Sequence, residues 1–307
     1  MIPLQDEEAT VPELLASLLL QTSPPDELVV VDAGSRDRTA QLVSELAAPF
    51  SVNIIRAGRL YPGEARNLGV EAAREDWIAF TDGGIRLEGS WLAQLMARAE
   101  DGVDVVFGSY EPVCDSFWTR ASAIAYVPAV SSWGGRGPFV ASMGVRKEAF
   151  QRLGGFPPYR AAEDLVFLER VAASRLRFAY APQAIVHWRL AKDAVATFRR
   201  FAVYSHHNLA ASWGRHWHVG LARLYAMLAG GMLLGLLHGV ALALAMVPAF
   251  FVARALKAAW QKRGSLPIGT LAPQRVLAAG LVLLVVDVAT VTGALRWLRQ
   301  PSPGREL

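Results

Sequence analysis

The sequence predicts an α/β protein with a mainly parallel central sheet, followed by C-terminal transmembrane helices, and three observations predict it. Over the first 190 residues, short β-branched runs alternate with segments of helical period, the signature of βαβ units. Two later stretches, 221–253 and 276–298, are predominantly apolar, and a helix needs about 20 such residues to cross a bilayer. Finally, the acidic residues nearly all precede residue 194; beyond it only Asp287 and Glu306 remain. The net charge of +4 therefore comes from a basic, apolar C-terminal third. Its Lys and Arg flank hydrophobic runs and form no polar stripe, which suits a membrane and excludes nucleic acid as the expected partner. The expected division is an α/β domain over 1–195, an amphipathic interfacial segment over 196–220, a membrane region over 221–298 and a tail over 299–307.

The elements follow in order. "VPELLASLLLQT" (11–22) is a helix, with Pro12 near its start, a position where the missing N–H costs nothing. "ELVVVDAGSRD" (27–37) is a buried strand ending in an acidic turn, and "DRTAQLVSEL" (37–46) is the helix after it. "VNIIRAG" (52–58) is a strand and "GEARNLGVEAA" (63–73) a helix; "DWIAFTDGG" (76–84) is a strand and "GSWLAQLMARAE" (89–100) a helix. "VDVVFGSYEP" (103–112) is a further strand, and "DLVFLERVAAS" (164–174) a helix. The single cysteine, Cys114, rules out an internal disulfide framework and a cysteine-built zinc site. No signal peptide is expected of the acidic "MIPLQDEEAT". Neither a G-x-G-x-x-G run after the first strand nor a P-loop is present.

Asp32 and Asp82 both stand where a strand ends, and ligands of open α/β sheets bind outside the carboxyl ends of strands. Each has a plain alternative as a turn or capping aspartate. Glu163 and Asp164 open an apolar helix, where carboxylates also serve as ordinary caps. Arg66 begins a helix and can pair with phosphate oxygens or lie exposed. "TFRRFAVYSHHNLAASWGRHWHVGLARLY" (197–225) mixes arginine, histidine and aromatics at helical spacing ahead of the first apolar stretch, as an interfacial helix does. Its histidines lack a companion carboxylate, so no metal is expected there.

"IPLQDEEATVPELLASLLLQTSPPDELVVVDAGSRDRT", "GEARNLGVEAAREDWIAFTDGG" and "FVASMGVRKEAFQRLGGFPPYRAAEDLVFLERV" together resemble family 2 glycosyltransferases of the GT-A fold, over roughly residues 2–190. The resemblance implies a Rossmann-like nucleotide-sugar-binding domain that transfers a sugar from a nucleotide-diphosphate donor, usually with inversion and usually with a divalent metal (Mg or Mn). It places Asp32 on the base, Arg66 on the donor nucleotide, and Pro3 and Gly83 in donor-binding segments. Asp82 matches the first aspartate of the D-x-D motif, which touches the ribose or the metal; Gly84 replaces the second. Mg²⁺ is often held by one or two carboxylates plus phosphates, so one could suffice. His187, in "AIVHWRL", falls where some members carry a metal-proximal histidine. Asp164 aligns with the general base, with Glu163 beside it. Trp133 and Arg136, in "WGGRGPF", are acceptor-pocket or pyrophosphate candidates whose plain alternatives are packing and a solvated charge. Only Met1 and Ile2 precede Pro3, where such a sheet starts with several β-branched residues. Either the start lies upstream or the edge of the nucleotide pocket is curtailed.

The implied partners are a nucleotide-diphosphate sugar, a lipid-linked or envelope glycan acceptor, and the membrane. The implied location is the inner (plasma) membrane with the catalytic domain cytosolic. The alternative is a degenerate nucleotide-sugar-binding or scaffold subunit of an envelope glycan assembly or export complex. Between the apolar stretches, residues 254–275 carry Arg254, Lys257, Lys262, Arg263 and Arg275 without an acidic residue, a cytosolic signal. Both ends of the first stretch then lie on one side. A hairpin turning at Gly235, His238 or Gly239 satisfies this; one long tilted helix would place the basic loop outside.

Overall fold

A computed structural model describes residues 1–47, 49–212 and 214–300, apart from the side chains of 214–216. The expected tail therefore falls almost wholly outside the described residues, as do the side chains of Arg215 and His216. The chain forms two compact units, Met1–Val113 with Val130–Arg189, and Cys114–Ala129 with everything from Leu190 onward. Residues 114–129, expected inside a continuous 1–195 domain, thus cluster with the C-terminal part.

In the first unit the elements are β1 (Ile2–Leu4), α1 (Val11–Leu19), β2 (Leu28–Asp32), α2 (Thr39–Leu46), β3 (Val52–Arg56), α3 (Pro62–Ala72), β4 (Trp77–Phe80), β5 (Ile85–Leu87), α4 (Trp91–Met96) and β6 (Val105–Val113). The chain then builds α5 (Phe117–Tyr126) in the other unit. It returns for β7 (Met143–Arg146), α6 (Lys147–Arg152), α7 (Glu163–Ala173) and β8 (Phe178–Arg189). Strand β2, "LVVVD", is buried along its whole length, as a strand covered on both faces must be. It pairs in parallel with β1 and β3, so that Leu4, Asp32 and Arg56 lie side by side at one end of this three-stranded sheet. In α1, the buried Val11, Leu14, Leu15 and Leu18 recur at helical spacing.

The second sheet has the order β4-β7-β6-β8-β5. In this sheet parallel pairing is confined to β6–β8; β4–β7, β6–β7 and β5–β8 are antiparallel. An apolar run reports burial, not direction, so the periodicity could not distinguish them. The core beneath this sheet gathers Phe80, Phe150, Phe156 and Phe167 at centroid separations of 4.5–5.9 Å. Such ring pairs each add about 0.5–1.5 kcal/mol beyond their burial. They lock the loop before α7 against β4.

The second unit contains α5, α8 (Ala194–Ala210), α9 (Gly214–Leu236), α10 (Val240–Gln261) and α11 (Pro273–Arg299). Ala121 and Ala125 of α5 pack on Val282 and Val286 of α11. Helix α8, expected as an interfacial segment, lays its Ala202 and Ser205 against α11. A Cβ on Gly293 would stand 2.4 Å from the Ala202 carbonyl oxygen. The apolar stretch 221–253 is two helices, not one: Leu237, His238 and Gly239 turn the chain, with Gly239 at φ +127°. Gly231 and Gly235 of α9 face Met246 and Ala243 of α10, the close approach that small residues permit between apolar helices. Asp287 of α11 is buried and bonded bidentately by Arg254 of α10 and by the Tyr225 hydroxyl of α9 at 2.8 Å. Three described helical segments, Trp217–Leu236, Val240–Gln261 and Pro273–Arg299, are long and apolar enough to cross a membrane. The first two are almost uncovered, whereas nearly half of the third is buried.

Candidate functional site

The site assembles around α3. Pro62 starts the helix and the Glu64 carboxylate accepts the Tyr61 N–H at 2.9 Å, closing the first turn. The next turn carries Arg66 inward; only 4% of it is exposed. Its Nη2 donates to Asp82 Oδ1 at 2.7 Å and its Nη1 to Glu163 Oε1 at 3.1 Å, while the guanidinium carbon lies 5.4 Å from the Phe156 ring centroid. Residues 97 positions apart, Arg66 and Glu163, are thus joined. Arg66 is not an exposed helix arginine. Burial works against its charge, but the carboxylates of Asp82 and Glu163 hold its pKa above the ordinary arginine value.

Glycine and a strained turn make this approach geometrically feasible. A Cβ on Gly63 would sit 2.9 Å from Phe156 Cβ and 3.0 Å from Glu163 Cγ, so any larger residue would push the glutamate away. Ala162 turns the chain into α7 in the left-handed region, at φ +79°, which costs about 1–2 kcal/mol for a residue with a Cβ. Asn67, which sequence reasoning passed over, donates to the Phe156 carbonyl and accepts its N–H, both at 2.9 Å. It clamps the "GGFPP" loop onto α3.

Glu163 is buried, and its second oxygen, Oε2, has no hydrogen-bond partner in the described structure. Burial, reinforced by the neighbouring Asp164 carboxylate and opposed by Arg66, pushes its carboxyl up to about 8. Asp164 is half-buried in the first turn of α7, where its Oδ1 accepts the Leu165 N–H at 2.8 Å. Burial raises its pKa against the opposing pull of Arg66.

Asp82 is about one-third exposed. A Cβ on Gly83 would meet Glu7 Cγ and Leu4 Cδ2 at 2.8 Å, so this glycine brings Glu7 up beside the Asp82 turn. Glu7 is the second residue missed at sequence level. Its carboxyl is raised by burial, with the Asp82 charge adding and the bond from Thr10 opposing. The only hint was an acidic run before a helix, which capping explains equally well. Asp32 is buried at the end of β2, and its Oδ1 accepts the Ser35 N–H at 3.0 Å. It therefore does close its own turn. Pro3 lies in β1 opposite Val31.

Other candidates are held elsewhere in this unit. Arg136 is fully buried and pairs with Glu111 at 2.6 Å; Trp133 stacks on Tyr180 at 4.3 Å. Burial pushes the nearby Tyr110 hydroxyl up to about 12 despite Arg136. His187 lies within β8, and its Nε2 is 2.9 Å from Glu88 Oε2. It is engaged there and not joined to Asp82. The described residues do not fit the implied divalent cation. Asp82 already carries a guanidinium, Gly84 has no side-chain ligand atom, and no group of three His, Cys, Asp or Glu among them could hold a metal.

The model of the family described as Glycosyl transferase family 2 matches residues 1–157. An undecaprenyl-phosphate 4-deoxy-4-formamido-L-arabinose transferase of Pseudomonas aeruginosa is 33% identical over 126 residues, covering 39% of this chain and 37% of that protein. A putative glycosyltransferase of Bacillus subtilis is 30% identical over 111 residues, 36% of this chain and 32% of its own. The matches thus span about a third of the length of these curated relatives. Among solved structures, a mannosyltransferase of Pyrobaculum calidifontis in complex with GDP-Man and Mn²⁺ superposes with TM-score 0.60 at 20% identity, over 94% of this chain and 85% of that one. S. aureus TarS in complex with UDP-GlcNAc superposes with TM-score 0.51 at 16% identity, over 98% and 91%. At these identities the likeness is one of fold.

Proposed function

The chain belongs to glycosyltransferase family 2, and from that premise we propose that it moves a sugar from a nucleotide-diphosphate donor to a lipid-linked or envelope glycan acceptor at a membrane. The observation that carries this reading is the bonding of Arg66 to both Asp82 and Glu163. It unites the donor-side aspartate with the acid pair that opens α7. In the proposed reaction the acceptor hydroxyl oxygen attacks the anomeric carbon from the face opposite the diphosphate. The new C–O bond forms as the old one breaks, its electron pair leaving on the diphosphate, and the anomeric configuration inverts. Asp164 takes the hydroxyl proton; its raised pKa makes it a better acceptor near neutrality than an ordinary aspartate. Glu163 and Arg66 fix the start of α7, and Asp32 and Asp82 present carboxylate oxygens to the hydroxyl and N–H groups of a nucleoside.

The Pseudomonas relative, named for undecaprenyl phosphate, and the three apolar helices both support a lipid-linked acceptor. In this reading α9 and α10 cross the inner membrane as a hairpin, with the catalytic unit and the basic 262–272 loop cytosolic.

The experiment is to incubate the detergent-solubilised full chain with a panel of nucleotide-diphosphate sugars and an envelope lipid extract that supplies lipid-linked glycans with free hydroxyls. Acceptor-dependent release of nucleoside diphosphate from one donor is expected. Binding of a nucleotide sugar without release under any acceptor would favour the degenerate binding subunit, a reading Gly84 keeps in view.

A further inference from the structure

The fold relatives include a protein solved with Mn²⁺, yet here the one carboxylate of the Asp82 turn already bonds a guanidinium and the second carboxylate is missing. Asp82 offers the single carboxylate of its turn, and Arg66 Nη2 bonds Oδ1 at 2.7 Å. That guanidinium cannot step aside freely, because Nη1 holds Glu163 and its side chain is 95% buried (5% exposed). His187 is bonded to Glu88, and the Glu7 carboxylate accepts the Thr10 hydroxyl.

Gly84 shows that the loss is not imposed by packing. A Cβ there would meet nothing within 4 Å, and its φ is not in the left-handed region. An aspartate would fit. The neighbouring Gly83 is the opposite case, since a Cβ there collides with Glu7 and Leu4 at 2.8 Å. One glycine is packed against its neighbours and the other is not, so packing does not account for the missing carboxylate.

We infer that this enzyme binds and turns over its nucleotide-diphosphate donor without a divalent cation, Arg66 being the fixed counter-charge of Asp82 in place of a metal. The inference rests on the glycosyltransferase reading. Asp82 then keeps its exposed edge for neutral donor hydroxyls, with its charge already balanced. The departing diphosphate takes the electron pair of the broken C–O bond, and the acceptor proton goes to Asp164, with no ion needed for atoms or charge to balance.

The test measures binding of UDP, GDP, CDP and ADP to the full chain in detergent by calorimetry, in excess EDTA and in millimolar Mn²⁺. Wild type is expected to bind one of them with affinities that differ by less than about twofold between the two conditions. Gly84→Asp is expected to gain at least about a tenfold preference for Mn²⁺. A wild-type affinity that collapses about tenfold in EDTA would overturn the inference and leave the glycosyltransferase reading intact. Failure of all four nucleotides in both conditions would instead overturn that reading. A Gly84→Asp variant as indifferent to Mn²⁺ as wild type would overturn Gly84 as the missing ligand position.

Discussion

Asp164 and Glu163 are adjacent in sequence and opposed in surroundings, one half-open and the other sealed against Arg66. Asp164→Asn should cut sugar transfer by at least about 10²-fold while donor affinity stays near wild type, since a general base acts on the acceptor. A variant retaining most of its turnover would point to an acceptor oxygen, such as a phosphate, that arrives already deprotonated. Glu163 gives a pH signature. Its folded pKa is about 8 against an ordinary 4.5, so the folded state holds a proton that the unfolded chain releases. The stability contributed is fully present below pH 4.5 and is lost as pH rises through about 8. Glu163→Gln should flatten that decline, which melting curves of both proteins across the window would show; parallel declines would remove the assignment. Asp32, Asp82, Glu163 and Asp164 could be singled out from sequence because each sits at a strand end or helix start. Their bonding could not be, for the Arg66–Glu163 contact spans 97 residues. Likewise, nothing in "DEEA" says that a glycine elsewhere draws Glu7 to Asp82.

The α9–α10 pair has its specificity in two glycines. A side chain at Gly235 would place Cβ 3.1 Å from the Ala243 Cα, a backbone atom that cannot swing away, whereas Gly230 faces open space. Gly235→Val should therefore destabilise the helix pair by about 1–3 kcal/mol, and Gly230→Val should not. Thermal midpoints of the two variants in detergent check this, and equal shifts would contradict it. Apart from the short β5, the order of elements from α1 to β6 follows the periodicity closely because local burial writes itself into local sequence. Strand direction in the second sheet and the α5 helix left no such trace. The break at residues 237–239 is a borderline case: one glycine at φ +127° divides an otherwise uninterrupted apolar run.

At the scale of the molecule, three long apolar helices and a basic loop define a topology that cysteine labelling can test. In a Cys114→Ser background, His238→Cys at the exposed α9–α10 turn should react with an impermeant thiol reagent from outside intact cells, and Gly264→Cys should not. The reverse pattern would place the basic loop outside and refute the hairpin. Helix α5 is out of step with the order of synthesis. The ribosome makes this helix between β6 and β7, yet the residues it packs on, Val282 and Val286, lie near the end of the chain. Throughout most of synthesis the α/β unit must therefore fold around an excursion whose Ala121–Ala125 face has nowhere to dock. A fragment ended at residue 190 would keep that orphan face permanently. Replacing 114–129 by a short polar linker is the change that should turn such a fragment from an aggregating product into a soluble one.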